Sequence, residues 1–187
     1  MNPSQALLVM HAQPPLTDLA PDRDWLDNIG AAIEAARASD VLTIFVAVGF
    51  RSGYPEMALG NPRRQMLEPG QLLLRGISNS FDAQIAPGAD DIIVETTRLN
   101  AFVGTDLSEI LRSHGIRHLT LAGISTGGVV LATLVHAFDH DFATTVLSDA
   151  CADSDRDTHD TLLKHFSSNA PLDATVVTTA EWTNSLR

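Results

Sequence analysis

Cysteine and lysine are almost missing from this chain: Cys151 and Lys164 are the single residues of their kinds. One cysteine closes no intramolecular disulfide, so the expected compartment is the reducing cytoplasm rather than an oxidising one. Long apolar runs are missing too. The hydrophobic stretches fall well short of the roughly 20 residues that span a bilayer, which argues against a membrane helix. No basic stretch precedes an apolar core near the start, and no signal peptide is expected. Positive charge is scarce: 12 Lys and Arg stand against 23 Asp and Glu, a formal net charge of −11. Duplex nucleic acid is held by cationic neutralisation of phosphates, so nucleic-acid binding is not expected. The acidic residues are spread along the chain, as solubility alone would have them.

What is present suits one domain. The 187 residues, 44% of them hydrophobic, are enough for a sizeable core spanning residues 1–187. Short β-rich runs alternate with amphipathic segments. Strands are expected at residues 6–11 (ALLVMH), 41–48 (VLTIFVAV), 91–95 (DIIVE), 118–122 (HLTLA), 144–147 and 175–178. Helical spacing marks residues 25–37, 105–114, 127–140 and 157–166. Such alternation predicts right-handed βαβ units: a Rossmann-like, three-layer α/β/α fold with a mainly parallel sheet of about six strands. Parallel strands are covered on both faces, in keeping with these near-continuous apolar runs. Ligands of such sheets bind beyond the carboxyl ends of the strands. The residues to interrogate are therefore 11–13, 49–52, 96–98, 123–128 and 148–151. Residues 49–80 break the rhythm with prolines, glycines and Arg51, Arg63 and Arg64. A connection of that length reads as a flap over the strand ends, whose arginines are placed to clamp a carboxylate or simply to face solvent.

Gly123-Ile124-Ser125-Thr126-Gly127 matches the G-x-S-x-G nucleophile elbow between a strand and a helix. Asp149 or Asp153 and His159 or His165 follow in the order of a serine triad. The pattern fixes only three positions, and glycines at a strand-to-helix turn have their own structural reason. His136 and His140 lie four apart, the spacing of a metal pair, but no third ligand is evident. No metal or cofactor is expected. Trp25 and Trp182 read as packing residues.

The same turn belongs to a longer series. ALLVMHAQ (residues 6–13), RLNAFVGTDL (98–107), LAGISTGGVV (121–130), DACAD (149–153) and TTAEW (178–182) occur in order at plausible spacings. Together they resemble the isochorismatase-like hydrolases, the cysteine hydrolase superfamily, and that resemblance supplies the name of the expected fold. It implies a homodimer or higher oligomer, a small-molecule ligand and a site of known composition. In the amidohydrolase branch, an aspartate ends the first strand, a lysine follows the third, and a cysteine sits in the glycine turn. The carboxylate takes the thiol proton, the lysine stabilises charge, and the thiolate attacks a carbonyl.

Those three positions fall on His11, Thr96 and Val129. Valine has no lone pair, and Cys151 and Lys164 cannot simply stand in. The triad is degenerate and thiol-dependent amidase activity is not expected. In the enol-ether branch the aspartate is the proton donor, and it too is replaced by His11. That histidine reads either as a substitute proton donor or as a strand-end residue hydrogen-bonded locally. The resemblance further implies a cis peptide at Ile124–Ser125 and an oxyanion hole formed by the Ser125 and Val129 amides. Gln13, Arg98, Phe102, Thr126, Gly127 and Gly128 complete the expected pocket, with Ser125 and Thr96 adding hydroxyls. Two functions stay open: a divergent hydrolase or lyase of a small carbonyl or carboxylate metabolite without a cysteine nucleophile, and a catalytically inactive member that binds small molecules or serves as a scaffold.

Overall fold

In the computed structural model, which describes residues 4–76, 80–167, 172 and 174–187, six parallel strands form one sheet in the order β3-β2-β1-β4-β5-β6. The strands are β1 (Gln5–Met10), β2 (Leu42–Val48), β3 (Ile92–Thr96), β4 (His118–Ile124), β5 (Ala143–Ala152) and β6 (Thr175–Val177). The expected α/β/α architecture is the one observed. Period-two alternation divides β1 between the faces: Ala6, Leu8 and Met10 enter one apolar core, Leu7 and Val9 the other. The first core is closed by α3 (Leu107–Ser113), α4 (Leu131–Asp139) and α5 (Arg156–Ser167). The second is closed by α1 (Asp24–Ala38) and α6 (Thr179–Ser185), where Trp25 and Trp182 are both buried, as packing residues should be. At the start of α6, Thr178 and Glu181 form a reciprocal capping box that satisfies two amides of the first turn. No helix among the described residues is long and apolar enough to cross a membrane.

Four departures from expectation bear on the site. β1 ends at Met10, and His11 turns off it with φ of 54°. Left-handed backbone is uncommon for non-glycine residues, yet Asp, Asn and His are among those that enter it most readily. β5 runs on to Ala152 instead of stopping at residue 147: its pairing with β4 shifts register around Ser148 and Asp149 and resumes at Cys151, opposite Gly123. Cys151 is thus inside a strand, not beyond one. The helix expected from residue 127 opens as a π turn (Thr126–Val130) before α4 begins. Finally, the flap at residues 49–80 is no open loop. It contains α2 (Pro62–Leu67), capped by Asn61, and a small core of Phe50, Tyr54, Met57, Leu67, Leu73 and Leu74 packed against Val48. Residues 77–79 of that segment lie outside the described residues.

Candidate functional site

The carboxyl ends of β1 to β4 bring together the segments that the sequence singles out. Met10 pairs with Val46 on one side and Gly123 on the other, and Val48 pairs with Thr96. His11 therefore starts its turn beside the glycine turn that follows β4. Thr96 ends a strand two places away, about 10 Å across the sheet at ordinary strand spacing. A long lysine side chain could bridge that gap; the short threonine at this position cannot. Its hydroxyl serves its own loop, accepting from the Arg98 amide at 2.9 Å.

His11, Thr96 and Val129, the three positions expected to form the site, are closed to solvent at 2%, 1% and 0% exposed. Val129 is part of the core on the α4 face. The His11 backbone is tied at both ends, its amide donating to Val46 O at 2.8 Å and its carbonyl accepting from the Gln13 amide at 2.7 Å. Its Nε2 is buried without a partner among the described residues. Burial first, and the Arg63 charge second, push the His11 pKa down to about 3. The ring is neutral at physiological pH. A neutral imidazole with so low a pKa is a poor base and no source of an acidic proton, which removes the proton-donor reading in this state.

Arg63 is the flap arginine that reaches the site, where its charge acts on His11. Of the four arginines in the flap, Arg51 pairs with Glu56 at 2.7 Å, Arg64 with Glu68 at 3.0 Å, and Arg75 with Glu95. Arg63 has no carboxylate partner among the described residues. Its guanidinium lies 5.3 Å over the Phe50 ring, and its own pKa is depressed by burial and by Arg98. Arg98 is itself held by carbonyls, its Nη2 donating to Glu56 O at 3.0 Å and its Nη1 to Thr97 O at 3.0 Å. Two cations approach each other here, and neither has a carboxylate partner among the described residues; Arg98 is satisfied by carbonyls, while Arg63 rests on the Phe50 ring.

The expected pocket residues separate into groups. Gln13 is fully buried and clamps β2, accepting from the Val48 amide at 2.7 Å and donating to Val48 O at 3.3 Å. Phe102 stacks on His136 with ring centroids 4.3 Å apart, and borders a different cavity beside Gly115 and Ile116, ahead of β4. His136 in turn stacks on His140 at 4.1 Å. Gly127 donates its amide to Asp153 at 2.8 Å, and the Gly128 amide donates to Ser125 O at 3.1 Å. A Cβ on Gly128 would lie 2.6 Å from Ser125 Oγ, so the absent side chain is what leaves the serine hydroxyl its place. The Ile124–Ser125 peptide is cis, as the resemblance implies.

No serine triad is assembled. Thr126, not Ser125, meets His159, 2.8 Å from its Nδ1, while Asp149 is engaged by Thr179 and Asp153 by Gly127. Cys151 is buried, its thiol directed at Leu121 O, and desolvation pushes its pKa up to about 12. It is no displaced nucleophile. In the sequence Arg63 looks like its neighbours; only the pairing of Arg51, Arg64 and Arg75 with Glu56, Glu68 and Glu95 distinguishes it.

Set against known proteins, residues 5–181 match the isochorismatase domain. Among solved structures, a cysteine hydrolase from Pseudomonas syringae pv. phaseolicola superposes with a TM-score of 0.86 at 24% identity, over 98% of this chain and 92% of that one. An isochorismatase family protein from Burkholderia thailandensis gives 0.83 at 24%, over 100% and 97%. A nicotinamidase/pyrazinamidase from Bacillus subtilis gives 0.78 at 23%, over 93% and 99%. At such identities the likeness is one of fold.

Proposed function

The chain belongs to the isochorismatase family, and on that premise we propose that it binds a small carboxylate compound at the strand ends without attacking it through sulfur. The observation that carries this reading is Arg63, a partly buried guanidinium stacked on Phe50 with no carboxylate among the described residues to balance it. Desolvating an unpaired cation is costly, and a ligand carboxylate received in the guanidinium fork would offset that cost. Arg98 adds a second positive charge nearby, and the Ser125 hydroxyl has no partner among the described residues. The family's chemistry has lost each of its parts: Val129 offers no lone pair, Thr96 cannot reach across β2, and neutral His11 neither gives nor readily takes a proton. Binding without turnover fits these substitutions best.

The divergent-hydrolase reading draws its support from two groups without a partner among the described residues, the Ser125 hydroxyl and the buried His11 Nε2. One experiment separates the two. Benzoate, titrated into the protein by calorimetry, should bind saturably, and Arg63→Met should weaken it at least about tenfold. Arg51→Met, which removes an arginine already paired with Glu56, should leave the affinity unchanged. Equal binding by the Arg63 variant, or none by the native chain, would remove the carboxylate site. Hydrolysis of a benzoyl ester or amide that disappears in Ser125→Ala would replace silent binding with catalysis.

A further inference from the structure

A second cavity, of about 200 Å³, lies away from the strand ends of β1–β3, between the start of α1, the end of β5 and the first turn of α5. None of His11, Thr96, Val129 or Arg63 borders it. Its chemistry can be read from one histidine outward.

His159 is 8% exposed and forms part of the cavity wall. Its Nδ1 lies 2.8 Å from Thr126 Oγ1, and the same hydroxyl lies 3.2 Å from Ala152 O. A threonine hydroxyl has one hydrogen, and a backbone carbonyl can only accept. Both contacts are hydrogen bonds only if the threonine donates to Ala152 O and accepts from Nδ1–H. Desolvation lowers the pKa of the ring and keeps it neutral near pH 7. The tautomer is then fixed: Nδ1 carries the proton and Nε2 carries a bare lone pair. Nε2 has no partner among the described residues and, unlike His11 Nε2, it is not sealed from solvent. The cavity therefore holds a preformed acceptor, positioned from behind by Thr126.

The surrounding charge is mostly negative. Asp22, Asp24, Asp149 and Asp153 line the space, and the single guanidinium among them, Arg156, has a 70% exposed side chain 3.8 Å from Asp22. Asp149 commits only Oδ1 to Thr179 and Asp153 gives Oδ2 to Gly127, while no donor among the described residues engages the Asp24 carboxylate. Trp25, 3% exposed, also lines the space. Anions are disfavoured here, and so is a cation without hydrogens to donate.

We propose that this cavity is a binding site for a small organic cation bearing N–H donors, a guanidinium or a primary ammonium group, with His159 Nε2 accepting from it and Asp24 and Asp149 balancing its charge.

The test is nitrogen NMR of the full chain, labelled at histidine, titrated with methylguanidinium, ethylammonium and tetramethylammonium. The free protein should show the Nδ1–H tautomer at His159. Methylguanidinium or ethylammonium should move the Nε2 resonance saturably by about ten millimolar, the tighter of the two naming the class. Tetramethylammonium, which has the charge but no donor, should bind at least about tenfold more weakly. His159→Phe should abolish the response of the Trp25 indole resonance to the same ligands. Because that change also removes the Thr126 partner, Asp24→Asn, on an exposed side chain, provides an independent arm and should weaken binding several-fold. An Nε2–H tautomer, a tetramethylammonium affinity equal to the others, no saturable shift with either donor cation, or indifference to Asp24→Asn would each overturn the proposal.

Discussion

Gly123 passes so close to Met10 that a Cβ built on the glycine would sit 2.0 Å from the Met10 carbonyl oxygen. The glycine φ is 139°, outside the range of ordinary side chains. The obstruction is backbone of the neighbouring central strand, which cannot swing aside as a flexible side chain could. Gly123→Ala should therefore cost at least about 3 kcal/mol or prevent folding, measured by urea denaturation. Gly30→Ala, where nothing lies within 4 Å of the added carbon, serves as the control. A Gly123 variant as stable as its parent would show that β1 and β4 are not packed as described.

Acid should destabilise the protein through His11. Its folded pKa of about 3 lies below the ordinary histidine value of 6.5, so the folded state holds its proton less tightly than the unfolded chain. The stability at stake is fully present above pH 6.5 and drains away as pH falls toward 3. Fully buried groups shifted this far contribute up to several kcal/mol. His11→Asn keeps a residue that tolerates left-handed backbone and removes the titration. Melting temperatures followed from pH 7 to pH 4 should fall less steeply for this variant; parallel curves would contradict the assignment.

Cys151 should resist alkylation in the native protein. Its thiol is buried and its pKa of about 12 leaves almost no thiolate at neutral pH. Iodoacetamide labelling followed by intact-mass measurement should proceed only as fast as the protein unfolds. Rapid labelling of folded protein would place the thiol at an accessible surface.

Self-association is expected through the face that carries Leu99, Val103, Val135 and Phe138, all large apolar side chains with substantial exposure. Sedimentation at micromolar concentration should show at least a dimer, and Phe138→Glu should shift it toward monomer. A monomeric native chain would remove this expectation.

Much of the scaffold was legible in the sequence because its physics is local. Apolar runs of strand length, helical periodicity and the glycine at 123 are written into neighbouring residues. β5 was misjudged at Ser148 and Asp149 because polar side chains at a strand's end look like a loop unless the pairing partner is known. α2 was hidden among Pro55, Pro62 and Pro69, although Asn61 followed by Pro62 is itself a helix-start signal. The site was only half legible. The segments that meet at the strand ends could be read directly, but not that Glu56, Glu68 and Glu95 pair with three flap arginines and leave Arg63 without a carboxylate among the described residues. Nor could the sequence show His159 bonding to Thr126 rather than to the adjacent serine, since one residue of register in the turn decides it.

The left-handed backbone at His11 also bears on how such a chain can change while remaining folded. A position with φ of 54° admits few residues comfortably, and aspartate, asparagine and histidine are among them. Exchanging one for another alters the chemistry of the turn without asking the main chain to move. Inheritance can thus discard a reactive group at this point and keep the architecture, leaving the same scaffold free to be selected for holding a molecule rather than transforming it.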